Sequence, residues 1–382
     1  MNGLFKIEEV RTNLGAKIKI IGVGGGGTNM INHMVNENVT SVDLIAANTD
    51  AQHLNTSLAP QKVQLGLKLT KGLGAGMKPE IGRSAAEESY QDIKAALEGA
   101  DMVFVAAGLG GGTGTGAAEV VAQAAKEVGA LTVAVVTKPF VFEGPKRKKY
   151  ADEAMMRIKD VCDSIVVIPN DKLLAIVDKN MGVRESFRVV DNVLARAVTG
   201  ISGVILSHGE SDINIDFADL STVMSNKGMA LMGVGDGSGN DAAYQAVKNA
   251  IESPLFDNIS INGAMGVLVH FAIHPEYPLV QLQQAMNVIY ESADDSADII
   301  FGTTTNPSIS PDRVVVTIVA TGFERQANNT SSKPMGIASM DSNSSERIIQ
   351  PARIIRKVSG GYNLDLDDNE LEIPTYLRRQ MD

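Results

Sequence analysis

Two glycine-rich runs carry the residue types that could hold a phosphate. The first is Gly110-Gly111-Gly112-Thr113-Gly114-Thr115-Gly116, set between the apolar stretch 102–107 and the alanine-rich stretch 117–125. Glycines between a strand and a helix let the backbone approach a ligand closely, and free amides at a helix start face negative charge. Thr113 and Thr115 add hydroxyls. No lysine follows, so this is not the GxxxxGK[ST] phosphate loop, and no such sequence occurs elsewhere. The second run, Gly22-Val23-Gly24-Gly25-Gly26-Gly27-Thr28-Asn29, has the same setting and contains a GxGxxG match at Gly22, Gly24 and Gly27. Alone, that match reads as the dinucleotide turn of an oxidoreductase, which wants an acidic residue about 20 positions on to hold a ribose. Here the next strand ends in Asn48-Thr49-Asp50. A triphosphate needs more amides than one loop supplies, and two such turns on one sheet edge supply them. A third run, Gly72-Leu73-Gly74-Ala75-Gly76, is followed by Met77-Lys78. Lys78 reads either as a phosphate ligand or as an exposed lysine.

The elements that must position these turns alternate. Apolar strands are expected at 18–23, 42–47, 102–107, 131–136 and 165–168, with helical patterns at 28–36, 79–97 and 145–161. Such alternation predicts a parallel sheet covered by helices on both faces, with ligands at the carboxyl ends of the strands. A long helix is expected over 183–207. Beyond it, a helix at 216–225, strands at 229–234, 266–273, 299–303 and 313–321 and helices at 242–251 and 278–290 suggest a smaller α+β unit. From residue 324 the chain turns rich in Asn, Ser and Thr, which cannot bury enough apolar surface to offset chain entropy. The expected division is a nucleotide domain 1–182, a connecting helix 183–207, an α+β domain 208–323, a disordered linker 324–364 and a terminal peptide 365–382.

The 382 residues, 44% of them hydrophobic, and a mean hydropathy near zero fit a two-domain chain with a sizeable core. Apolar runs are strand-sized, and the N-terminal segment lacks an apolar signal core, so a cytoplasmic location is expected. A single cysteine, Cys162, excludes an internal disulfide framework and suits a reducing compartment. A net charge of −11 argues against nucleic acid as a partner. Of the histidines only His270 and His274 lie close together, without a third ligand, so no metal site is expected.

GGGTGTG at 110–116, together with several separate segments, resembles the tubulin/FtsZ family of GTPases over nearly the whole chain. The resemblance implies an α/β fold: a Rossmann-like, parallel-sheet GTPase domain joined by a long central helix to a smaller α+β domain, with a disordered tail. It implies GTP or GDP as ligand, with Mg²⁺ accompanying the nucleotide and no dedicated protein cage for it. Phosphate contacts carry over to Gly25, Gly26, Gly27 and Asn29 and to Gly112, Thr113 and Gly114, and the implied nucleotide site also takes in Gly24, Thr28, Asn48, Gly110, Gly111, Thr115 and Gly116. Gly74 belongs to the loop near the γ-phosphate. Relatives often have glycine at the position of Thr28 and Ala-Asn where this chain has Met77-Lys78. Pro139 closes a strand on the same edge, Glu143 is implied to accept from the ribose hydroxyls, and Arg147 borders that pocket. Read without the resemblance, Glu143 and the neighbouring Lys146, Lys148 and Lys149 are a helix-start charge and a basic face. Asp191 is implied to accept from guanine N1 and N2, Asn170 to bond the base edge and Phe187 to stack. Phe187 and Asp191 stand four apart and share a helix face; read without the resemblance they are a core aromatic and a solvated acid.

No carboxylate in these elements is placed to orient water against a γ-phosphate. The candidate is Asn214-Ile215-Asp216-Phe217-Ala218-Asp219, which matches the family's NxDxxD loop. Capping of the following helix by Asn214 or Asp216 is the alternative. In the family this loop completes the site of the next subunit, which implies hydrolysis in trans by Asn214, Asp216 and Asp219 within head-to-tail filaments of the division ring at midcell, beneath the inner membrane. The segment from Leu371 to Gln380 resembles the family's terminal peptide, which docks onto membrane-tethering and regulatory division proteins, so the membrane is contacted only indirectly. The basic repeat at 347–357 reads as a lipid or partner contact or as a solvated linker. A dinucleotide oxidoreductase leaves GGGTGTG and NxDxxD unexplained, and a plasmid-partition filament leaves the terminal LEIPTYLRRQ unexplained.

Overall fold

The computed structural model describes residues 15–323 apart from 40, 174–180, 207–211, 214, 226–227, 257–260 and 262. Asn214, the expected linker, the 347–357 repeat and the segment from Leu371 to Gln380 lie outside the described residues.

Strand β1 (Ile18–Val23) leads directly into helix α1 (Gly24–Asn36), then β2 (Asp43–Asn48), α2 (Ala51–Asn55), β3 (Gln61–Gln64) and α3 (Leu67–Thr70). Two helices, α4 (Pro79–Glu88) and α5 (Tyr90–Leu97), precede β4 (Met102–Gly108), α6 (Thr113–Glu127), β5 (Leu131–Lys138), α7 (Pro145–Val161), β6 (Ser164–Pro169) and α8 (Asn170–Leu173). The 24-residue α9 (Val183–Leu206) follows. The second half comprises α10 (Phe217–Met224), β7 (Met229–Ser238), α11 (Ala242–Ile251), β8 (Gly266–Ile273), α12 (Leu279–Ser292), β9 (Asp298–Thr305) and β10 (Arg313–Thr321).

All the described strands join one ten-stranded sheet in the order β3-β2-β1-β4-β5-β6-β7-β10-β8-β9. The first half is parallel throughout; β10 runs antiparallel to both β7 and β8, giving the mixed second half. The two halves are stitched by a short parallel pairing, Ile165 with Met229 and Val166 with Ala230. Strands β1, β4 and β5 are buried almost end to end, as expected of parallel strands covered on both faces. One face packs on α4 to α7 through Ala85, Ile93, Ala117, Val121, Ala151 and Ile158. On the other, α9 places Val190, Leu194, Val198 and Ile201 in a single core with Phe104, Val135 and Val166 of the first half and Met232, Leu268 and Val319 of the second. No described helix is long and apolar enough to cross a membrane.

Several expected boundaries move, each for a local reason. The helical pattern 79–97 breaks at Ser89, whose hydroxyl accepts from the Gly66 amide (2.9 Å) and donates to the Gln64 carbonyl (3.2 Å). That residue docks the β3–α3 turn instead of continuing the helix. Strand β7 runs four residues past the expected end at 234. Its Gly233, Gly235 and Gly237 lie against Ala250, Ala246 and Ala242 of α11; a Cβ on each would fall 2.1, 1.9 and 2.0 Å from the facing carbonyl oxygen. Alternate glycines on the strand meet alanines four apart on the helix, so the helix backbone rests directly on the strand.

Gly235→Ala is therefore expected to destabilise the protein by about 3 kcal/mol, since backbone oxygen cannot yield to the added methyl as a side chain would. Urea unfolding of the variant checks this.

Candidate functional site

At the carboxyl edge of β1, β4 and β5, two helices start without caps. Neither Val23 before α1 nor Gly112 before α6 gives a side-chain hydrogen bond to the first turn, and neither first turn contains an acid. The orphan amides and the positive dipole ends of both helices are thus left for a ligand. The helices begin inside the glycine runs, at Gly24 and Thr113, rather than after them. Small residues are needed because the backbones nearly touch: a Cβ on Gly24 would lie 2.7 Å from the Gly114 nitrogen, and one on Gly26 would lie 3.2 Å from Gly108.

These helix starts line one end of a cleft of about 440 Å³. Of the residues singled out by sequence, Gly25, Gly26, Asn29, Gly111, Gly112, Thr113, Gly114, Pro139, Glu143, Arg147, Asn170, Phe187 and Asp191 line it. The remaining first-domain candidates do not, and each has another structural place. Gly24, at φ +70°, makes the turn into α1. Gly27 lies against Ala106 and Gly22, and Gly116 against Pro79. Thr28 is fully buried, and its hydroxyl has no partner among the described residues. Thr115 Oγ1 accepts from the Gly110 amide at 2.9 Å, which turns that amide inward. Asn48 is buried at the end of β2. The Gly74 amide donates to the Thr49 carbonyl at 3.3 Å. Lys78 is exposed and Met77 adopts φ +58°. Gly108, Leu109, Thr137, Val190 and Leu194 also line the cleft. Sequence reasoning gave none of the five a role: Gly108, Leu109 and Thr137 fall just past the expected ends of the strands 102–107 and 131–136, and Val190 and Leu194 fall inside the expected helix 183–207.

The far end of the cleft is built by α9 and the 139–147 segment. Phe187, 40% exposed, stands edge-on to Phe140 at 5.5 Å, and Phe140 stacks on Phe142 at 4.9 Å. An aromatic face is therefore held open to the cleft. One turn on, burial pushes the Asp191 carboxyl up to about 7; a lone carboxylate out of water favours its neutral form. Asn170 is buried and its Oδ1 has no partner among the described residues. A buried acceptor without a partner among the described residues and a half-buried acid in one cleft fit a ligand edge that donates two hydrogen bonds. At the rim, Glu143 Oε1 accepts from the Phe140 amide at 2.9 Å and its other oxygen pairs with Arg147. Glu143 closes a 3₁₀ turn that ends before α7, so it is not the N-terminal charge of that helix.

Asp216 and Asp219 are exposed and lie outside the cleft lining. Asp216 caps α10, accepting from the Ala218 amide at 3.3 Å. The elements between the cleft and this segment include the part of α9 from Asp191 to Leu206, about 22 Å of helix. Among the described residues no cluster of three or more His, Cys, Asp or Glu is placed to hold a metal. His270 is buried in β8, with Nε2 2.8 Å from Thr304 Oγ1. Burial pushes the Cys162 thiol up to about 12.

Residues 17–178 match the GTPase domain of the Tubulin/FtsZ family, and residues 228–324 match the C-terminal domain of the FtsZ family. The chain belongs to the FtsZ family. Two relatives from Helicobacter pylori, each a cell division protein FtsZ, are 47% identical over the whole chain and 97% of their own length. The FtsZ dimer of M. jannaschii superimposes with a TM-score of 0.78 at 44% identity, covering 82% of this chain and 90% of that one. The CetZ2 protofilament of Haloferax volcanii shares the fold at 21% identity, with a TM-score of 0.68 over 82% of this chain and 96% of that one. The chain is accordingly a tubulin-type GTPase of cell division that binds guanine nucleotide.

In the nucleotide-free protein the Asp191 carboxyl is expected to titrate near pH 7, followed by its carboxyl carbon resonance. Its folded value lies above the unfolded 3.8, so the folded state holds the extra proton. Stability therefore falls as pH rises from about 4 to 7, and Asp191→Asn should flatten that part of the urea-midpoint profile.

Proposed function

We propose that the cleft between α1, α6 and α9 is the GTP site and that hydrolysis is completed by Asp216 and Asp219 of a neighbouring copy. The observation that carries this reading is the pairing of two uncapped helix starts with the half-buried Asp191 and the Asn170 Oδ1, which has no partner among the described residues, at the opposite end of one cleft. Polyphosphate fits the first end, where amides and dipoles stabilise negative charge; guanine fits the second. There the ionised Asp191 accepts from N1–H and N2–H, Asn170 meets the base edge, and Phe187 lies against the ring. Glu143, already oriented by the Phe140 amide and Arg147, is placed for the ribose hydroxyls. Thr113 offers its hydroxyl, and the 72–78 loop closes over the terminal phosphate. Mg²⁺ enters with the nucleotide, held by phosphate oxygens and water, and neutralises charge at the transferring group.

The cleft's two carboxylates, Glu143 and Asp191, lie at the sugar and base end, which leaves no acid to orient water at the phosphate end. Asp216 and Asp219 are exposed on another part of the surface. A head-to-tail contact between copies brings them to the phosphate end, and such a contact does not close on itself, so it builds filaments. Residues 1–182 then bind nucleotide, the 183–207 helix connects, and 208–323 carry the activating segment. Through 371–380 the filament recruits membrane-tethering and regulatory division proteins at midcell, in the cytoplasm.

Asp219→Ala, and Asp216→Ala beyond its capping loss of about 1 kcal/mol, are expected to lower turnover by about 10²-fold or more while leaving monomer GTP affinity unchanged. GTP hydrolysis per molecule, measured across protein concentration alongside sedimentation, should switch on above a threshold together with pelletable polymer. Constant specific activity without polymer would mean that the monomer holds a complete site. Asp191→Asn should shift base preference from guanine toward xanthine by about tenfold or more, because an amide donates where the carboxylate accepted; competition binding with the two nucleotides measures it.

A further inference from the structure

We infer that His53 is a positioning residue for nucleotide binding, fixing the Asn29 side chain so that its NH₂ group faces the cleft. The inference rests on reading that cleft as the nucleotide site. A chain of three side chains sets the orientation. Asn48, buried at the end of β2, accepts from the Asp50 amide through Oδ1 at 3.3 Å, which turns its Nδ2 toward His53. That Nδ2 lies 3.1 Å from His53 Nδ1. An amide nitrogen only donates, so Nδ1 is the acceptor and the ring proton sits on Nε2. His53 Nε2 lies 3.1 Å from Asn29 Oδ1 and therefore donates to it. With Oδ1 occupied, Asn29 can offer only Nδ2 to the cleft it lines, and among the described residues that Nδ2 has no acceptor.

The ring itself is held in place. Asp50 caps α2, its Oδ1 accepting from the Gln52 amide at 2.9 Å and the His53 amide at 3.1 Å. His53 is half-buried beside Gly25, whose Cβ position would be 3.8 Å from the imidazole. An unrestrained asparagine presents either its carbonyl or its NH₂ group, and the carbonyl repels a phosphate oxygen. Locking the NH₂ outward removes the wrong arrangement before the ligand arrives, which is a gain from preorganisation.

The test compares GTP affinity in His53→Ala, His53→Gln, Asn29→Ala and the His53→Ala/Asn29→Ala double variant, with the hydrolysis rate per bound GTP as the second readout. His53→Ala should weaken binding about fivefold to tenfold with little change in that rate. His53→Gln, able to accept at one end and donate at the other, should recover most of the loss. In the Asn29→Ala background the His53 change should add nothing. Additive losses, or a normal affinity in His53→Ala while Asn29→Ala is impaired, would overturn the positioning role and leave the cleft reading standing. Unchanged binding in both Asn29→Ala and Asp191→Ala would overturn the cleft reading itself. A readout that needs no variant is the ¹⁵N spectrum of the His53 imidazole: a single Nε2–H tautomer is expected, and the Nδ1–H tautomer would overturn the inference.

Discussion

The close passage of two chains at the sheet edge is the constraint on which the site depends. Backbone at Gly24 and Gly26 lies against Gly114 and Gly108 with no room for a Cβ between Gly24 and its partner. The starts of α1 and α6 can then point into one volume. A helix start is usually quieted by a capping side chain or an early acid. Both devices are missing here, so the local cost of unsatisfied amides is the same feature that makes the cleft attractive to an anion. At α2 and α10, by contrast, an aspartate caps the first turn.

Helix α9 makes the two ends of the protein one object. Its first turns give the cleft Phe187 and Asp191. Its middle and last turns share a core with strands from both halves. Gly200 passes against Thr317 of β10 and Gly203 against His270 of β8, so the second half of the sheet is seated on the helix at close range. The beginning of α9 cannot shift far without disturbing the packing of the second half.

Much of this was legible in the residue order. Strands β1, β4, β5, β8 and β10 announced themselves because burial on both faces demands unbroken apolar runs. The edge strand β3, with the sequence Gln61-Lys62-Val63-Gln64, gave no such signal, because only its valine is buried. Gly235 and Gly237 looked like the end of a strand, because the reason for them lies in a helix that follows it. In the cleft, the glycine runs were legible as strand-to-helix turns, but spacing could not say which glycines line it and which serve packing, as Gly27 and Gly116 do. Nor could it find His53, whose role rests on the orientation of two amides rather than on any pattern of types.

The contact between β7 and α11 has a further consequence. Gly233, Gly235 and Gly237 face carbonyl oxygens of α11, not its alanine methyls. Shrinking Ala242, Ala246 or Ala250 to glycine would free no space for a larger residue on the strand, since the obstructing atoms belong to the backbone. A genetic search for second-site suppressors of a β7 glycine change should therefore return none in the facing helix. The two elements are matched in sequence, yet neither can compensate for a change in the other.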